Sequence, residues 1–486
     1  MAVRRTVKYR LHVLRRMSSS VRCQAMGAGR PPTPPKVDGF QRLTLYGFRQ
    51  FGFVEIDLST RLTVITGANG AGKTTLLNIL GRHFNWYTNF LASPATLKLE
   101  SGHEFRTLDV HPVDLMRIVE ILARDDKLDD SYIRMLESIL HDRVVMPEHE
   151  RSVPQAKIGH LTYRDGSHAV IQAPLLSQGM QYAINLEDEK TVDGLYLSSH
   201  RSLSAYQQLT TIPARFARAE QILDEYIGEL RQAMFPNRGA QTIRPVMLRM
   251  KEALIAAALY GEGNSAVTSD EDAHHVWTGF QEVLRIILPD SLGFQRLVAE
   301  PPEVILETLT GRFAIDAISG GMNALFELAW QIHLRSSISP TFTVCFDEPE
   351  NHLHPSLQRT LIPGLLEAFP GVNFIVATHS PFIVTAAPDA RVYVLRYNEE
   401  NRVDSIVLDF ANKARSAERT LTDVLGLTTT RPVWAEQRFD LIMSKYIDKP
   451  VTGDSVRALK DELEDNGLID ELPIALEHYL DAGESA

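Results

Sequence analysis

Gly67-Ala68-Asn69-Gly70-Ala71-Gly72-Lys73-Thr74 is the stretch whose reading decides the fold. It fits G-x-x-x-x-G-K-[ST], follows the apolar β-type run Leu62, Val64, Ile65, and leads into the helix-forming Leu76-Leu77-Asn78-Ile79-Leu80. A strand, a glycine-rich loop and a helix in that order are the setting the motif requires. The glycines let consecutive backbone N–H groups turn inward around an anion, and the helix N-terminus adds the positive end of its dipole. Asn69, Gly70, Ala71 and Gly72 form the cradle, Lys73 can reach the β- and γ-phosphates, and the Thr74 hydroxyl can ligate Mg²⁺, with Thr75 beside it. A tight turn alone would need one or two glycines, but neither the lysine nor the threonine. The expectation is a site for ATP and Mg²⁺.

The second half of the chain supplies three further segments. Thr343-Val344-Cys345-Phe346 reads as a buried parallel strand ending in Asp347-Glu348. Open α/β sheets place ligands at the carboxyl ends of their strands, so Asp347 is the expected Mg²⁺ ligand and Glu348 the group that polarises the attacking water. Asn373-Phe374-Ile375-Val376-Ala377 repeats the pattern and delivers His379 to the next strand end, where it would contact the γ-phosphate or the water. Ser319-Gly320-Gly321 opens a helical run (Leu325, Leu328, Ala329, Ile332) and offers a second anion-binding helix start. That second start cannot serve the nucleotide of the Lys73 loop from the same side. The reading that uses it is a dimer, in which Ser319 caps the γ-phosphate held by the partner copy.

The phosphate loop, Ser-Gly-Gly, Asp-Glu-Pro-Glu and Thr-His-Ser-Pro in this order resemble the ABC-type ATPase head, more narrowly the soluble branch of RecF, SMC-like heads and OLD-type nucleases. Leu43-Thr44-Leu45-Tyr46-Gly47-Phe48-Arg49-Gln50-Phe51 supports that branch, and the resemblance implies that Arg49 approaches the phosphates. Asp347-Glu348-Pro349-Glu350-Asn351-His352-Leu353-His354-Pro355 resembles the signature of bacterial defence ATPases of Septu, retron and PARIS systems. The implied fold is α/β: a P-loop NTPase whose mixed sheet is flanked by helices, with an N-terminal antiparallel β part, a helical insertion and a helical C-terminal region. Two departures stand out. Met322 occupies a place where transporters carry Gln and this branch often Glu, and the candidates for a Mg²⁺-sensing glutamine reduce to Gln207 and Gln208. Glu350, His352 and His354 lack further ligands at zinc spacing and are read as a loop touching the partner subunit.

Working outward, five regions emerge: a basic tail (1–36), a first ATPase lobe with the phosphate loop (37–110), a mostly helical insertion with a β-hairpin (111–295), a second ATPase part (296–410) and the helical C-terminal region (411–486). The insertion carries apolar stripes at Leu115/Ile118/Val119/Leu122 and Ile133/Leu136/Ile139/Leu140, helices over 214–235, 246–260 and 274–288, and a hairpin over 158–171 with Asp165-Gly166 at its turn. No heptad run is sustained, which argues against long coiled-coil arms. The C-terminal region reads as four helical segments and shows no acidic strand ends of the kind a TOPRIM nuclease needs for Mg²⁺.

With 486 residues and 44% hydrophobic content the chain is large enough for two domains, and no apolar run approaches a membrane span of roughly 18 residues. Cys23 and Cys345 are its two cysteines, consistent with a reducing cytoplasm. Residues 1–36 hold nine Lys or Arg and no acid, so the other 450 residues carry 41 basic against 61 acidic groups. A body that acidic is not a general DNA coat, and any DNA contact must come from a local patch or a partner. The basic start resembles a transit peptide superficially, but the bacterial character of the head favours a disordered tail, or translation from Met17 or Met26. The functional expectation is a cytoplasmic ATPase, a homodimer or higher homo-oligomer joined through its ATP sites, that signals to a separate effector protein (a nuclease or toxin) in bacterial defence. The alternative is a RecF-like repair ATPase that clamps DNA in its ATP state, which predicts ATP-dependent binding that weakens steeply with salt.

Overall fold

A computed structural model describes residues 34–91, 95–98, 104–107, 144–145, 155–174, 181–200, 206, 208–234, 246–263, 265, 267–408, 420, 433–446 and 450–484. The stripes at Leu115–Leu122 and Ile133–Leu140, most of the basic tail, Gln207 and the segment 421–427 lie outside them. Two compact units are present, Met1–Arg415 and Ser416–Ala486.

The first unit begins with the antiparallel pair β1 (Phe40–Phe48) and β2 (Phe51–Asp57), then β3 (Leu62–Gly67) and helix α1 (Lys73–Gly81). Strands β4 (Gln155–Tyr163), β5 (His168–Pro174), β6 (Asn185–Glu187) and β7 (Gly194–Leu197) follow. Helices α2 (Ala219–Met234), α3 (Val246–Gly261) and α4 (Glu271–Ile287) precede a small antiparallel sheet of β8 (Phe294–Glu300), β9 (Glu303–Thr308) and β10 (Gly311–Ala314). Helix α5 (Gly320–Ile338), β11 (Phe342–Asp347), α6 (Pro355–Ala368), β12 (Val372–Ala377), β13 (Arg391–Tyr397) and β14 (Val403–Val407) complete it.

One large sheet runs in the order β6-β5-β4-β1-β2-β14-β13-β3-β12-β11-β7. Its centre is parallel: β7, β11, β12, β3 and β13 all point the same way. All six residues of β3 and all six of β11 are buried, as strands covered on both faces must be. The other half is antiparallel from β6 to β2. Its side chains alternate, with Leu43, Leu45, Val54 and Ile56 buried between more exposed neighbours. The halves meet where β14 runs beside β2. One backbone register pair, Val403 with Phe51, is supplemented by side chains: Asp404 accepts from Phe53 N and Ser405 from Glu55 N, both at 2.9 Å.

The hairpin read at 158–171 forms as β4 and β5, but it does not sit in a separate insertion. It pairs with β1 and extends the head's own sheet, while β7 covers the far edge of β11. The reason is physical: each would otherwise leave a row of unpaired backbone groups at the edge of a buried sheet. The later part of the insertion holds the helices α2, α3 and α4. Helices α3, α4 and α5 pack in succession, α2 lies against α5, and α6 against α4. Residues 323–334 of α5 are buried without a break, which fits a helix enclosed on all sides.

The second unit holds α7 (Val433–Met443), α8 (Gly453–Asp465) and α9 (Leu472–Glu484) around Phe439, Ile442, Leu459, Leu463 and Tyr479. A reciprocal Thr452–Ser455 capping box starts α8. No helix among the described residues is long and apolar enough to cross a membrane.

Candidate nucleotide site

Register brings the scattered segments together. Asp347 of β11 pairs with Ala377 of β12, and Ala377 with Ile65 of β3, so the three strands end level with one another. The loop after β3, the acid pair after β11 and the Thr378-His379-Ser380 segment after β12 therefore share one edge of the sheet. This is the ligand position of an open α/β fold.

The loop between β3 and α1 is built on left-handed backbone. Gly70 and Gly72 have φ of 80° and 98°, and a Cβ on Gly72 would lie 2.3 Å from Gln50 Nε2 and 2.4 Å from Phe51 Cζ. Only glycine fits there. Lys73, the first residue of α1, is 5% exposed, and its Nζ donates to the carbonyls of Gly67 at 2.9 Å and Ala68 at 3.1 Å. Burial pushes its pKa down to about 8, against the opposing pull of Glu348, Asp347 and Glu350. A poorly solvated ammonium inside a ring of backbone groups suits a phosphate. Thr74 Oγ1 donates to Asp347, 3.1 and 3.0 Å from its two oxygens. That hydroxyl–carboxylate pair, with Asp347 itself 3% exposed, is a hard-oxygen donor set that fits Mg²⁺.

Glu348 stands with φ at 45°, its N–H donating to Ala377 O at 2.8 Å. A non-glycine residue in this region is strained by about 1 kcal/mol or more. The turn swings the side chain toward His379, whose Nε2 lies 3.8 Å from Glu348 Oε1. His379 Nδ1 lies 3.5 Å from Lys73 Nζ. Burial and then the Lys73 charge lower the His379 pKa, with Glu348 opposing, so the imidazole is neutral at pH 7. The structure thus brings Lys73, Thr74, Asp347, Glu348 and His379 into one cluster.

Other expected residues lie differently. Ser319 is the exposed N-cap of α5 and makes no side-chain cap hydrogen bond. Gly321 packs on the loop after Glu348: a Cβ there would sit 2.8 Å from His352 O. Arg49, with φ 50°, sits in the β1–β2 turn, its guanidinium 5.8 Å from the centre of the Phe90 ring. Gln208 is exposed, and Met322 is half-buried at the start of α5. His354 caps α6 through Ser356, and Glu350 faces backbone donors, so the two side chains serve separate partners.

Three residues take roles in the site that the sequence reading did not give them. Asn351 Nδ2 donates both to Glu348 Oε2 at 2.9 Å and to Ser199 O at 3.1 Å, tethering the acid to the segment after β7. Gln50 donates to Gly70 O at 3.2 Å and braces the tip of the phosphate loop. Glu350 is the third. All three lie inside motif stretches quoted above, Gln50 beside Arg49 and the other two in the run after Asp347, but the motifs do not say what their side chains face.

Family models and curated proteins match parts of this chain. Residues 289–385 match the family described as "AAA domain, putative AbiEii toxin, Type IV TA system", and residues 42–108 match "AAA domain". Among curated relatives, "Retron Ec83 probable ATPase" of Escherichia coli is 24% identical over 40% of this chain and 36% of its own length. "Retron Vc95 probable ATPase" of Vibrio cholerae serotype O1 biovar El Tor is 20% identical over 84% of this chain and 82% of its own. "Septu protein PtuA" of Bacillus mycoides (strain KBAB4) is 31% identical over 25% of this chain and 17% of its own. The chain thus spans about a third of the Ec83 protein and less of PtuA. Of solved structures, an SmcHead bound to the C-winged helix domain of ScpA aligns over 76% of this chain and 98% of its own, at 15% identity and a TM-score of 0.37.

Proposed function

We propose that this chain, an AAA-domain ATPase of the SMC- and RecF-like branch, is a nucleotide-dependent switch: two copies meet head to tail around two ATP·Mg²⁺ and report ATP state to a separate effector in bacterial defence. The observation that carries the nucleotide part is the Thr74–Asp347 hydrogen bond, which joins the phosphate loop to the acidic strand end across 273 residues.

The roles follow from the positions. Lys73 and the loop N–H groups hold the β- and γ-phosphates by charge and direct hydrogen bonding. Thr74 and Asp347 would hold Mg²⁺, which neutralises phosphate charge when bound. Glu348, held by Asn351, accepts a proton from the attacking water. Neutral His379 stands between Glu348 and Lys73, able to donate to a γ-phosphate oxygen or to orient that water. Phosphoryl transfer asks the protein for placement and charge complementarity more than for covalent chemistry, and this cluster offers both. Ser319, the exposed N-cap of α5 with no side-chain cap hydrogen bond, is available to complete a partner's site, and Arg49 would add a further cation to the phosphates. The effector and the defence setting rest on the likeness to the retron and Septu proteins.

Glu348→Gln tests the reading. ATP affinity should stay within about threefold of wild type while turnover falls by roughly 10²–10⁴, the usual contribution of a general base. Size-exclusion chromatography with ATP should then show a stable dimer. Wild-type turnover in this variant would remove Glu348 from its role, and a monomer at saturating ATP would remove the paired arrangement.

A further inference from the structure

Glu350 lies two residues beyond Glu348, and the roles assigned above leave it without work. Its Oε1 accepts three hydrogen bonds: from Thr378 Oγ1 at 2.8 Å, His379 N at 2.7 Å and Ser380 N at 3.1 Å. The donors are consecutive in the segment that carries His379, and one oxygen gathers them all. β12 runs out of register partners at Ala377, so the N–H groups of His379 and Ser380 have no neighbouring strand to pair with. The carboxylate takes the place of that strand. The rest of the segment is pinned from other sides: Thr66 Oγ1 donates to Thr378 O at 2.9 Å, and Ser380 Oγ to Gln358 Oε1 at 2.7 Å. The second oxygen of Glu350 is buried with no hydrogen-bond partner among the described residues.

What hangs on the segment is the His379 ring, 3.5 Å from Lys73 on one side and 3.8 Å from Glu348 on the other. A drift of about an ångström would put both out of reach, and misplacement on that scale costs a reaction roughly 10²-fold. We propose that Glu350 is the positioning residue of this site, its single accepting oxygen fixing the backbone of Thr378-His379-Ser380 and so setting His379 between Lys73 and Glu348. The proposal rests on the reading of His379 given above and adds a residue to it.

Substitutions separate this role from mere support. Gln keeps a carbonyl oxygen that can accept all three bonds. Asp withdraws the acceptor by one methylene, and Ala leaves the His379 N–H and the Thr378 hydroxyl without it, while Ser380 N keeps its bond to Thr378 Oγ1 at 2.9 Å. ATP turnover and affinity should be measured on the full chain for wild type, Glu350→Gln, Glu350→Ala, His379→Ala and the double alanine variant, with thermal melts as a folding control. Glu350→Ala should lower kcat by roughly 10- to 100-fold with ATP affinity within about threefold. Glu350→Gln should turn over at least about fivefold faster than Glu350→Ala. The double variant should be no more than about twofold slower than His379→Ala, because residues acting as a unit do not add. Should Glu350→Ala unfold, Glu350→Asp takes its place. Losses that multiply in the double variant, or a glutamine variant as slow as the alanine one, overturn the proposal. A slow His379→Ala beside a wild-type Glu350→Ala overturns it alone, whereas wild-type turnover in His379→Ala overturns the His379 assignment as well.

Discussion

Lys73 gives the sharpest prediction at the residue scale. Its pKa of about 8 belongs to an ammonium that is buried before any anion arrives, so deprotonation begins just above neutrality. The protonated form is the one that binds phosphate. ATP affinity should therefore be flat below about pH 7.5 and weaken up to tenfold per pH unit above about 8, a dependence that titration with a fluorescent ATP analogue would follow. Affinity unchanged through about pH 9.5 would mean that the lysine is better solvated than its setting implies. Lys73 and Thr74 are legible as candidates from the glycine-rich motif, and Asp347, Glu348 and His379 from apolar runs read as strands, and the fold brings these five side chains together. Sequence alone could not reveal what Asn351 or Glu350 would hold. Their roles depend on which backbone groups end up facing them, and no local pattern encodes that. The left-handed backbone at Glu348 was hidden for the same reason: glutamate does not advertise a positive φ, and the neighbouring strand imposes it.

Helix α3 is joined by charge to the start of β9 and to the turn that follows β10, and the prediction at the element scale concerns that join. Lys251 of α3 is 1% exposed at its side chain, with Nζ 2.5 Å from both Glu303 Oε2 and Asp316 Oδ2. Tyr206 adds a hydroxyl bond to Glu303 at 2.9 Å and a ring 5.2 Å from the ammonium. Burial lowers the lysine's pKa, but the hydrogen bonds and negative charges of Asp316 and Glu303 outweigh it and raise the value. Lys251→Met would strand the two acids, and removing one partner of a buried ion group costs about 3–5 kcal/mol. A urea midpoint shifted by less than about 0.5 kcal/mol-equivalent would show that the group is solvated instead. Asp316 precedes Ser319 by three residues, so the same network anchors the run into α5. The elements themselves were largely legible: α3 and α4 fall close to the helices read over 246–260 and 274–288, and α5 on the run that Ser319 opens. Their partnerships were not, since the pairing of β4 with β1 joins segments more than a hundred residues apart, a distance over which periodicity carries no information.

Two buried histidines set how the whole molecule responds to acid. His83 donates from Nδ1 to Leu80 O and, as the neutral ring, accepts from Tyr163 OH at Nε2, and His333 Nε2 donates to Val276 O at 3.0 Å; burial pushes both pKa values down to about 4. The unfolded chain takes up these protons near pH 6.5, before the folded one does. Their contribution is therefore complete above about pH 6.5 and is lost as pH falls toward 4, of order 3 kcal/mol for each. Denaturation midpoints should already decline between about pH 6.5 and 5, before most carboxylates titrate; a flat profile there would contradict the burial of these rings. The last unit, Ser416–Ala486, has a core of its own, and expressed alone it should give a helical circular-dichroism spectrum with a cooperative melt. The close approach of Gly321 to His352 has a consequence of another kind. The helix start offered to a neighbouring copy leans on the very turn that carries Glu348, so in the proposed pair each protomer would wire its own pocket to its neighbour's. Hydrolysis should then rise sigmoidally with ATP, and Gly321→Ala, by wedging the two turns apart, should pull the Hill coefficient back toward one.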